Sequence, residues 1–123
     1  MKIKEINDEK IIFDNGNYLT FYHSQSCCEW VYADFENIQV ITNLGANSVN
    51  SNELEFDEEL EKYIAPITGL GFIIEDKHGI KLFVSCYNRQ NGYYSSDLEL
   101  QYFKITPTKI TIDISDCVKD DIN

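Results

Sequence analysis

Nowhere in this chain of 123 residues does an apolar run approach the roughly 20 that a membrane-spanning helix needs, so no membrane segment is expected. The opening stretch, Met1 to Lys10, lacks both an apolar centre and a small-residue cleavage site. It does not read as a signal peptide, and a cytosolic protein is expected. Basic residues are scarce as well. Ten Lys and Arg stand against 21 Asp and Glu, a formal charge of −11. A surface of that sign repels phosphate backbones, which argues against direct nucleic-acid binding. With only four Cys and a reducing compartment, no disulfide framework is expected. There is no internal repeat and no low-complexity segment.

What the chain does have is eight Tyr, seven Phe and many Val, Ile and Thr, a bias that suits half-buried strands. Ile11-Ile12-Phe13 and Tyr18-Leu19-Thr20-Phe21 flank Asp14-Asn15-Gly16-Asn17. Asn-Gly is the preferred dipeptide of a two-residue type I′ turn, so a hairpin is expected here. Apolar residues on both of its faces predict that it is covered on each side. A second hairpin is expected at Asp76-Lys77-His78-Gly79, followed by a strand whose Ile80, Leu82, Val84 and Cys86 share one face. Leu98, Leu100 and Tyr102 alternate with polar residues until the apolar phase switches at Phe103 and Ile105, which predicts a bulge or bend. Ile110, Ile112 and Ile114 form the cleanest amphipathic strand.

Between these strands, Asn52 and Glu55 could form a capping box, and Leu60, Tyr63, Ile64 and Ile67 sit at helical spacings before and beyond Pro66. The expectation is a mainly β fold, α+β at its border. It would be an antiparallel sheet or sandwich of about seven to eight short strands with one short helix near residues 53–64. A single domain over 1–117 and a frayed tail over 118–123 complete the expected layout.

Chemically capable residues gather in one stretch, His23-Ser24-Gln25-Ser26-Cys27-Cys28-Glu29. His23 could serve as base to a Cys28 thiolate if the loop folds back. Yet no glycine-rich oxyanion segment and no third orienting residue accompanies them. A metal site built from His23, Cys27, Cys28 and Cys86 is a further alternative. Against it, adjacent Cys side chains in extended chain point to opposite faces. Packing of the thiols as small apolar groups is the simpler reading, above all for Cys86. A second polar and aromatic group follows at Asn88-Arg89-Gln90-Asn91-Gly92-Tyr93-Tyr94-Ser95, where one of the two Tyr rings should face outward.

At Phe21-Tyr22-His23, Cys27-Cys28-Glu29 and Asn91-Gly92-Tyr93-Tyr94-Ser95 the sequence resembles a family of small uncharacterised proteins of bacteriophages and prophages. The likeness spans roughly residues 10 to 100; this chain has Ser26 where the family form has an acidic residue. The resemblance implies a setting, a phage-related accessory protein inside a bacterial host cell, and no activity. Together these readings favour a non-enzymatic module without a cofactor, binding a host protein or small molecule through the His23–Glu29 and Asn88–Ser95 loops. His23, Gln25, Cys28, Glu29, Arg89, Asn91 and Tyr94 are its candidate binding residues. The alternatives are a Cys/His enzyme, a metal-binding protein, and an acidic protein-interaction or nucleic-acid-mimic module.

Overall fold

The computed structural model describes residues 1–23, 31–41, 50–88 and 97–120, the side chains of 119–120 excepted. Eleven strands are found there: β1 (Ile3–Ile6), β2 (Lys10–Phe13), β3 (Tyr18–Tyr22), β4 (Val31–Ala33), β5 (Gln39–Ile41), β6 (Ile64–Ile67), β7 (Gly71–Glu75), β8 (Lys81–Asn88), β9 (Glu99–Lys104), β10 (Thr108–Asp113) and β11 (Lys119–Asp120). They form two sheets. The first runs β1-β2-β3-β9-β10 and is antiparallel throughout. The second has six strands, with β8 as its spine. One edge of β8 pairs with β7 and, in parallel, with β11; the other pairs with β4 and β5.

The alternation read from the sequence puts the core where it was expected. Ile11, Phe13, Leu19, Leu100 and Tyr102 from the first sheet meet Phe72, Ile74, Leu82, Val84 and Cys86 from the second in one buried cluster. β7 and β8 approach so closely that a Cβ added to Gly71, which has φ +155°, would lie 2.0 Å from the carbonyl oxygen of Val84. Both expected hairpins are present. At the first, however, the Gly16 N–H donates to the Phe13 carbonyl (3.0 Å) and the Phe13 N–H to the Asn17 carbonyl (2.9 Å). The loop therefore has three residues, with Gly16 at φ +93° in the left-handed position. This replaces the two-residue turn: Asn17 joins the strand pairing because its side chain is needed inside.

The expected helix near 53–64 is absent. Short 3₁₀ turns at Ser51–Glu53 and Leu60–Tyr63 stand in its place, separated by extended chain, and no α-helix occurs among the described residues. Leu54 and Phe56, two positions apart, are both buried. That is strand periodicity, and the Phe56 N–H is bonded to the Met1 carbonyl instead of to a helical partner. Pro66 sits in β6 opposite Phe72 and disfavours helical backbone at Ala65.

The first hairpin is also not covered on both faces. Its outer side carries Tyr18 stacked on Phe103 at a centroid distance of 4.8 Å, with the Lys10 ammonium over one ring and that of Lys109 over the other. This ladder explains the phase switch at Phe103: the ring belongs to the outer face, and the chain bends only at Ile105 to Pro107.

Two ends of this sandwich differ in kind. At the turn end, Asp76 accepts from the His78 and Ile80 N–H groups, Lys77 N–H donates to the Glu55 carbonyl, and Lys2 pairs with Glu55 and with Asp14. At the opposite, crossing end, the chain leaves the first sheet for the second after β3, returns after β8, and leaves it again after β10.

Candidate functional site

β3 and β9 are antiparallel, with Tyr22 opposite Glu99, so the residue leaving β3 lies beside the residue entering β9. His23 is that departing residue. Its side chain is 6% exposed, and its Nδ1 lies 2.6 Å from the Asp97 carbonyl oxygen and 3.2 Å from the Asp97 Oδ1. A carbonyl can only accept, so Nδ1 carries a proton and donates it to this bond. Across the core, β4 starts at Val31 opposite Asn88, the last residue of β8. Residues 24–30 therefore begin and end beside the residues that bound 89–96. Gln25, Cys27, Cys28, Glu29, Arg89, Asn91 and Tyr94 themselves lie outside the described residues.

The remaining candidate, Cys86, is fully buried among core side chains. Burial, with the neighbouring Cys117 adding to it, pushes its thiol up to about 12. Burial also raises Cys117, whose position gave no signal in the sequence. Protonated thiols packed in this way are neither nucleophiles nor ready metal ligands. Among the described residues, no group of three or more His, Cys, Asp or Glu side chains could hold a metal ion.

Sequence reasoning missed the ground around the crossings. Successive side chains of β3 point to opposite faces, so Phe21 and Tyr22 line different hollows. Phe21, with Tyr32 of β4, forms the aromatic side of a cavity of about 400 Å³ whose rim carries Asp8, Glu9, Asp34 and Glu36. Asn37 donates to Asp34 at 2.9 Å and holds that carboxylate in place. Tyr22, 54% exposed, borders a second hollow of about 290 Å³ together with Asp97, Glu99 and Asp113. The Asp113 carboxyl is held below its usual range by bonds from the Ser115 hydroxyl and N–H. Among the described residues, no Lys or Arg lines either hollow. Charge counts alone could not locate this acidity, because Asp8 and Asp34 meet only where the two sheets pack, and Asp97 and Asp113 only through the pairing of β9 with β10.

Residues 1–100 match the model of a family described as a domain of unknown function, DUF7448. No curated protein and no solved structure matches. The strands that follow residue 100 belong to the same two sheets, β10 on β9 and β11 on β8. No helix among the described residues is long and apolar enough to cross a membrane.

Proposed function

The chain belongs to the DUF7448 family, whose description names no activity, and from that premise we propose a non-enzymatic binding module whose working surface is the crossing end. The observation that carries this reading is the double anchoring of the crossings after β3 and after β8: His23 against Asp97 at one pair of ends, Val31 against Asn88 at the other. Segments sixty-odd positions apart in sequence are thereby launched from one place on the scaffold. In this reading His23, Gln25, Cys28, Glu29, Arg89, Asn91 and Tyr94 contribute to the surface, and its setting is that of a phage-related accessory protein in a bacterial host.

The acidity of the hollows on either side supports a basic partner. Asp8, Glu9, Asp34 and Glu36 beside Phe21 and Tyr32 suit a basic group with an apolar stem, such as an Arg or Lys of a host protein. A ligand of that class gains from both the carboxylates and the rings.

An arginine hexapeptide titrated into the full chain at low salt tests the proposal by calorimetry and by nuclear magnetic resonance shifts. Binding that weakens about tenfold in the Asp34→Asn/Glu36→Gln variant supports it, provided that Glu55→Gln/Glu75→Gln, an equal loss of charge at the turn end, has little effect. Equal weakening by the two variants reduces the effect to net charge and overturns the reading. The Cys/His enzyme is tested separately by alkylation rate against pH: a Cys28 thiol titrating near the ordinary value of about 8.5 leaves no activated nucleophile.

A further inference from the structure

Sheets that end in an open strand risk pairing with a neighbour, and proteins blunt such edges with short strands, bulges, Pro or charge. Most edges here are blunted. β1 has four residues, a register shift between Ile3 and Glu5, and a bridge from Lys2 to Glu55. β6 carries Pro66, β4 and β5 have three residues each, and β11 has two.

β10 is the exception. It has six residues, Thr108–Asp113, in unbroken register with β9. It contains neither Pro nor Gly, and among the described residues no strand pairs with its other edge.

We propose that β10 is the interface of a symmetric dimer, pairing antiparallel with the β10 of a second copy about Thr111. The occupant follows from the order of residues along the strand. Lys109, Thr111 and Asp113 share the outer face; Ile110 and Ile112 are half-buried against the core. A twofold axis at Thr111 sets Lys109 opposite Asp113 twice, Thr111 opposite Thr111, and Ile110 opposite Ile112 twice. Every cross-strand pair is then complementary, and like faces lie on the same side. An axis at Ile110 instead would set Thr108 against Ile112 and leave the charges unmatched. Neither Lys109 nor Asp113 has an opposite charge within salt-bridge distance among the described residues. The two five-stranded sheets would continue as one.

Analytical ultracentrifugation of the full chain from about 10 μM to about 1 mM tests this, since one added strand pair gives a small interface and modest affinity. Wild type is expected to reach the mass of two chains within that window. Thr111→Lys, which sets two ammonium groups together on the axis, is expected to weaken association at least about tenfold with an unchanged melting temperature. Lys109→Asp and Asp113→Lys should each remain monomeric alone and associate when mixed, because the mixture restores both charge pairs. A wild type that stays monomeric, a Thr111→Lys variant that associates equally, or a mixture no better than its parts would each overturn the proposal.

Discussion

The turn end and the crossing end use buried polar groups differently. At the turn end the buried Asn17 and Tyr102 are bonded to one another and to backbone groups. Asn17, 3% exposed, donates to the Tyr102 hydroxyl at 2.9 Å and accepts from the Ile105 N–H at 3.0 Å. The Tyr102 hydroxyl in turn donates to the Glu58 carbonyl at 2.7 Å. These bonds tie two hairpin loops and the segment between the sheets into one rigid unit, the arrangement a buried amide requires if it is not to cost stability. At the crossing end, His23 meets Asp97 and Asn88 pairs with Val31, and the surface beside them is acidic and aromatic. One end closes the scaffold; the other is the end proposed to meet a partner. The same residue types serve both ends, so the difference lies in what their neighbours satisfy.

The comparison breaks most completely where both ends share support. Gly71→Ala drives a methyl group into the Val84 carbonyl and should destabilise by about 3 kcal/mol or more, read as a lowered thermal midpoint. Next comes Asn17→Ala. It leaves the Ile105 N–H and the Tyr102 hydroxyl short of partners and should cost about 2–4 kcal/mol in urea unfolding, with peptide binding at the crossing end unchanged after correction for the unfolded fraction.

Tyr102→Phe is milder at neutral pH, about 1–2 kcal/mol, and carries a signature in alkali. Burial raises the Tyr102 phenol to about 12; the Asn17 bond opposes this, and the charges of Glu61, Glu58 and Asp57 add to it. The folded state thus holds this proton more tightly than the unfolded chain, whose value is near 10.0. That stability is complete below the unfolded value and is lost as pH rises towards 12. The Phe variant should lose less over the same interval. The smallest effect is expected at the crossing end, where His23→Gln should cost about 1 kcal/mol yet weaken binding of the arginine peptide. A large loss of stability with unchanged binding would make His23 part of the scaffold.

Much of the fold was legible because it is local. Gly16 and Gly79, at φ +93° and +82°, mark the hairpins that their turn sequences foretold. Leu82, Val84 and Cys86 face the core as their alternation implied. The helix near 53–64 was misread because Leu60, Tyr63, Ile64 and Ile67 fit a helical stripe, while Leu54 and Phe56 fit a strand; contacts with Met1 decided for extended chain.

By itself, then, the amino-acid order determined a mainly β chain, where its hairpins turn, and which side of each strand is apolar. Only the tertiary structure decided that β3 lies against β9, and hence that His23 meets Asp97, and that the sheets pack so that Asp8 and Asp34 border one cavity. Alternation specifies a strand's faces but not its neighbour: any two amphipathic strands can pair, and the choice rests on contacts between residues far apart in the chain.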